Sequence, residues 1–125
     1  MQNYKELKVW QKSHSLTVDI YKESMHFPNS EIYGLISQIR RCAYSIPSNI
    51  AEGCGKRTQY DLANFLQIAL GSANETEYFI LLAKDLSYLN ESCYLNLTEK
   101  VNEIKAMLIN LIKKVRDSEN VIRTT

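Results

Sequence analysis

The sequence predicts an all-α protein, an antiparallel up-down-up-down four-helix bundle with a proline-kinked second helix. Three observations carry that reading. Apolar residues recur at three- and four-residue spacing along four stretches of the chain, which is the period of an amphipathic helix. Chain breakers are scarce, with four Gly and two Pro in 125 residues, and that favours long helices over many short strands. The segments between the helical stretches are short, which forces consecutive helices to be antiparallel neighbours. With 45% hydrophobic and 23% charged residues, the composition suits one globular domain rather than a disordered chain. The expected domain spans residues 1–117, with 118–125 as a C-terminal tail.

The first helix is expected over residues 5–26, with Val9, Trp10, Ser13, Leu16, Thr17, Ile20 and Tyr21 on one broad face. Phe27-Pro28-Asn29-Ser30 breaks it and offers start signals for the next. The second is expected over 30–52, ending at Gly53 and Gly55, where glycine allows a left-handed turn. Ile36, Ile39, Ala43, Ile46 and Ile50 form its apolar stripe, and Pro47 sits inside that stripe. Proline has no N–H for the carbonyl four residues back and crowds it, at about 3 kcal/mol or more. A bend at 43–47 is therefore expected, with the freed Ala43 carbonyl met by water, a hydroxyl or another side chain.

Thr58 is the expected N-cap of the third helix, with Asp61 three residues on as the acidic half of a capping box. The helix is expected to reach residue 88, with Phe65, Ala69, Ser72, Thr76, Phe79 and Ala83 as its core stripe. A second stripe, Leu66, Leu70, Leu81 and Tyr88, carries Glu77 and Lys84 on or beside it. A helix apolar nearly all round is buried nearly all round. Either long side chains cover this second stripe or it is a subunit interface, with Glu77 and Lys84 pairing across it. The fourth helix is expected over 90–117, capped by Asn90, with Leu97, Val101, Ile104, Leu108, Leu111 and Val115 in a heptad seam.

No apolar run approaches the roughly 18 residues that span a bilayer, and MQNYKELKVWQK holds no apolar core of a signal peptide. Cys42, Cys54 and Cys93 are odd in number and contain no CxxC pair, which points to a reduced, cytoplasmic setting. The net charge is +1, well below that of a whole-surface nucleic-acid binder. Local excess is confined to Arg40, Arg41, Lys56 and Arg57, opposed by Glu52, and to Lys113, Lys114 and Arg116.

Enzymatic chemistry has little to stand on. Glu23 and His26 make one ExxH pair, whereas a di-iron bundle needs two such pairs and two further Glu. There is no phosphate-binding glycine fingerprint, and Cys54 in its tight turn reads as an inert thiol. No catalytic residue, metal or cofactor is expected. The constellation that could bind is basic and aromatic: Tyr33, Arg40 and Tyr44 on one flank of the second helix, Arg41 adjoining, and Lys56 and Arg57 beyond Gly55. Such a set can grip phosphates and stack on bases or anchor a protein interface. It can equally be a solvated face, or Arg40 or Arg41 can pair with Glu52, Glu75 or Glu77.

LKVWQK at 7–12, FP and YGL at 27–35, QIRR and SIPSNIAEG at 38–53, FLQIALGS at 65–72, Glu75, Glu77 and YL at 88–89 together resemble a known family. These are the four-helix-bundle proteins encoded within intervening sequences of bacterial 23S ribosomal RNA genes; the accessory variability determinant of diversity-generating retroelements is similar but more distant and far more basic. The chain departs from the family pattern at Cys42, Lys56, Asn64, Thr76 and Ser87, with Cys42, Thr76 and Ser87 expected to barely touch the fold. The resemblance implies an up-down bundle assembled into a homo-oligomer, a pentameric ring, with no known activity. The expected function is a non-enzymatic, homo-oligomeric scaffold for a protein or RNA partner. The alternative is a weak, largely non-specific RNA- or DNA-binding protein acting with a nucleic-acid-processing partner.

Overall fold

A computed structural model describes residues 2–124, with side chains placed for 2–118. Four helices follow one another: α1 (Lys8–Ser24), α2 (Leu35–Cys54), α3 (Gln59–Asp85) and α4 (Glu91–Thr124). Short 3-10 turns at Tyr4–Glu6 and Asn29–Glu31 precede α1 and α2, and no strand occurs among the described residues. The expected start of α2 at residue 30 gives way to Leu35, because the backbone at Gly34 is not helical (φ −111°, ψ −113°). Glu31 takes over as the local cap, its carboxylate accepting the Leu35 N–H at 3.4 Å. The tail expected at 118–125 lies largely within α4, which the backbone continues to Thr124; Thr125 lies outside the described residues.

Cross-helix pairs establish the direction of each helix. Thr17 meets Ala43 and Ser24 meets Arg40, so α1 and α2 run oppositely. Arg41 meets Glu75 and Ser45 meets Ser72; Glu77 meets Lys105 and Lys84 meets Glu91; Lys12 meets Glu103 and Asp19 meets Lys100. Every neighbouring pair is thus antiparallel. The backbones of α1 and α3, and of α2 and α4, do not approach each other among the described residues. The helices form a four-cornered bundle in chain order.

The core stripe of α3 differs in phase from the expected one. Leu62, Leu66, Ala69, Ala73, Thr76, Ile80 and Ala83 are buried, whereas Phe65, Ser72 and Phe79 are only half-buried. Small residues at 69, 73, 76 and 83 let neighbouring backbones come close. The same closeness explains Gly53: a Cβ there would lie 2.9 Å from the Cβ of Phe65 and 3.1 Å from Cδ1 of Leu62. The left-handed turn expected after α2 does not form, since Gly55 has φ −85°. Its N–H and that of Lys56 instead close tight turns onto Glu52 and Gly53.

Helix α2 continues through Pro47, which is buried. The Ala43 carbonyl, deprived of its N–H, lies 3.1 Å from the Thr17 hydroxyl of α1. That hydroxyl also lies 2.8 Å from the Ser13 carbonyl, so one proton is shared between two acceptors. Of the partners expected, water, a hydroxyl or another side chain, it is a hydroxyl that is supplied, across the α1–α2 seam.

The α3–α4 turn contains the one non-glycine residue with positive φ among those described, Ser87 at 65°. The Ser87 N–H donates to Lys84 and the Tyr88 N–H to Ala83, the paired bonds of a left-handed C-terminal cap that normally uses glycine. The departure at Ser87, expected to barely touch the fold, thus carries backbone strain of about 1–2 kcal/mol. Replacing Ser87 with Gly should raise unfolding stability by about 0.5–1 kcal/mol after the extra freedom of the unfolded chain is counted. Urea denaturation checks this, and a destabilised variant would contradict it.

Candidate functional site

The six residues expected to form one basic, aromatic surface do not share one. Successive residues on a helix are about 100° apart, and at Arg40 and Arg41 that rotation sends the two guanidiniums to opposite neighbours. Arg40 faces α1: Nε donates to Ser24 Oγ at 2.8 Å and Nη2 to the Tyr21 carbonyl at 3.3 Å. Its guanidinium lies 4.7 Å from the Tyr21 ring centroid. Arg41 faces α3, bonding Gln38 Oε1 and lying 3.3 Å from Glu75. Pairing of Arg41 with Glu75 is one of the structural roles open from sequence, and it holds here.

Tyr33 is 94% exposed but precedes α2, so it does not share the helical flank of Arg40. Tyr44, one turn after Arg40, is exposed. Thr17, Val18, Tyr21, Lys22, Met25 and Arg40 line a shallow groove of about 480 Å³ between α1 and α2. Lys56 and Arg57 lie past the end of α2, about 20 Å of helix from Arg41 at 1.5 Å per residue. The Lys56 ammonium sits 5.1 Å from the Phe65 ring centroid, and Arg57 is exposed.

The expected interface stripe also changes. Leu66 is fully buried at 0% exposure in the chain's own core and has nothing to offer a second copy. Glu77 pairs with Lys105 at 3.2 Å, and Lys84 lies 4.7 Å over the Tyr94 ring and 3.8 Å from Glu91. Both charges expected to pair across subunits are thus used between α3 and α4. Tyr88 donates its hydroxyl to Glu31 Oε2 at 3.1 Å, and its ring packs on Phe27. That hydrogen bond to a carboxylate pushes the Tyr88 phenol pKa up.

What remains on the outer edge of α3 is Leu70 and Leu81, eleven residues apart and so about 20° apart around the helix. Leu81 is 39% exposed. Half-buried Leu70 shares a groove of about 450 Å³ with Ile109, Ile112, Lys113 and Arg116 of α4. Ile109, 54% exposed, lies outside the heptad seam that marks the core face of α4. An apolar residue outside that seam was the available signal.

Burial pushes the thiols of Cys42 and Cys54 above the ordinary cysteine value, which keeps them protonated and poorly nucleophilic. His14 stacks on Trp10 at 5.1 Å. Among the described residues no cluster of three or more His, Cys, Asp or Glu is placed to hold a metal ion. No helix among them is long and apolar enough to cross a membrane.

Comparison with known proteins agrees with the four-helix fold. The family described as 23S rRNA-intervening sequence protein matches residues 5–110. A crystal structure of a protein with unknown function from the S23 ribosomal protein family of Bacteroides thetaiotaomicron is similar, at 33% identity and a TM-score of 0.76. The match covers 84% of this chain and 98% of that one. No curated protein matches the chain.

Proposed function

The chain belongs to the 23S rRNA-intervening sequence protein family, and from that premise we propose that it is a non-enzymatic, homo-oligomeric interaction module. Its role on this reading is to present a multivalent scaffold to a protein or RNA partner. The observation that carries the proposal is the apolar edge of α3 and α4, where Leu70, Leu81 and Ile109 have no complete cover within the chain. Full burial of a leucine side chain contributes about 1.5–3 kcal/mol, so sealing this edge against a second copy recovers a meaningful part of a domain stability of about 5–15 kcal/mol. A closed ring, five-fold by resemblance, satisfies the edge on every copy at once. Hydrogen–deuterium exchange at rising protein concentration tests the proposal. Amides around 67–81 and 105–113 should slow selectively as copies associate; concentration-independent exchange there would contradict it.

A second reading, weak contact with nucleic acid, is favoured by one feature of the bundle end. Lys56 and Lys114 border the same cavity, and Lys113 and Arg116 border the α3–α4 groove. Arg40 and Arg41, both engaged within the bundle, drop out of this reading. Few phosphate contacts give a shallow salt dependence, with log affinity falling at a slope of about −2 to −4 against log salt per subunit. Fluorescence polarisation of a labelled duplex across salt concentrations reads that slope. Tight binding that ignores salt would contradict it.

A further inference from the structure

The end of the bundle where α2 hands over to α3 holds a half-open cavity of about 360 Å³, inside the range of small-molecule sites. Its existence follows from the fold. Helix α1 begins only at Lys8, so α2, α3 and α4 meet here beside the residues that precede α1. Gln2 closes that side: its N–H donates to the Cys54 carbonyl at 3.2 Å and its amide to Cys54 Sγ at 3.8 Å. The floor is apolar, made by Leu62, Leu111 and Val115. Lys56, Lys114 and Gln59 also line the cavity, and no carboxylate lines it among the residues whose side chains are described. Two lysines bordering one apolar pocket repel each other and favour an anion between them.

We propose that this cavity binds a small amphiphilic anion, a carboxylate with a short unbranched apolar tail. The tail lies on Leu62, Leu111 and Val115, while Lys56 and Lys114 hold the head group and Gln59 donates to it. A polymer backbone can lie across such a rim but cannot place apolar surface on the floor, which separates this site from the nucleic-acid reading. The inference is independent of the α3–α4 edge, and it uses residues on both sides of the region shared with the family.

Amide chemical shifts in nitrogen-15-labelled protein test the assignment, with octanoate, octan-1-ol and inorganic phosphate as separate probes. Octanoate should move the amides of Cys54, Gln59, Leu62 and Val115 saturably, and at least tenfold more tightly than either probe carrying only its tail or only a charge. A Lys56→Gln, Lys114→Gln double variant, altered only at the rim, should weaken octanoate about tenfold and leave octan-1-ol unchanged. Octanoate shifts scattered over exposed apolar residues elsewhere would overturn the proposal. So would equal binding of octan-1-ol, equal binding of phosphate, or an unaffected double variant.

Discussion

Replacing Thr17 with Val should destabilise the protein by about 1–3 kcal/mol, the cost of leaving a buried polar group without its partner. Valine keeps the branched shape of the side chain and removes only the hydroxyl. The Ser13 carbonyl would still receive the N–H of residue 17 along α1. The Ala43 carbonyl would not be so served: Pro47 has no N–H, and the Thr17 hydroxyl at 3.1 Å is the hydrogen-bond donor that reaches it. The loss should therefore depend on the proline. In a Pro47→Ala background residue 47 can supply an N–H to Ala43, and Thr17→Val should cost at least 1 kcal/mol less. Urea denaturation of the four combinations gives the coupling directly. Strict additivity would show that Thr17 does not serve the carbonyl freed by Pro47.

This pair also shows what a sequence reveals and what it withholds. The orphaned carbonyl is a local fact, fixed by a proline four residues on, and so is legible in the chain. The same holds for the caps: Thr58 Oγ1 accepts the Asp61 N–H at 3.1 Å, and Asn90 Oδ1 accepts the Cys93 N–H at 2.8 Å. The identity of the donor to Ala43 is not local, because Thr17 lies 26 residues away and several polar side chains could have served.

The phase of α3 was hard to read for a related reason. Where apolar residues occur nearly all round, periodicity establishes a helix without saying which side faces the core. Leu66 could thus be assigned outward although the chain buries it completely. Arg40 and Arg41 carry the same lesson. Their helical positions are readable, yet the neighbours they meet, Tyr21 on α1 and Glu75 on α3, are decided by packing. The cavity at the bundle end joins Lys56 to Lys114, a distance in sequence that no motif search spans.

Leu70→Glu should weaken self-association at least a hundredfold, or about 3 kcal/mol. A carboxylate at this position would have to leave water for an apolar seam, a desolvation cost that its groove neighbours Lys113 and Arg116 offset only in part. Asn74 is a poor control for this change, since it falls within about 40° of Leu70 and Leu81 on α3. Ser15→Glu is better: Ser15 is exposed on α1, the helix diagonal to α3, and should leave assembly unchanged. Both substitutions should preserve the helical fold, because neither touches a fully buried residue.

Light scattering of the wild-type protein after size exclusion tests the central claim most directly. Micromolar protein should elute as one species whose mass is a discrete multiple of 14.4 kDa, and Leu70→Glu should return it to the mass of a single chain. A wild-type protein that measures 14.4 kDa at high micromolar concentration would contradict the account.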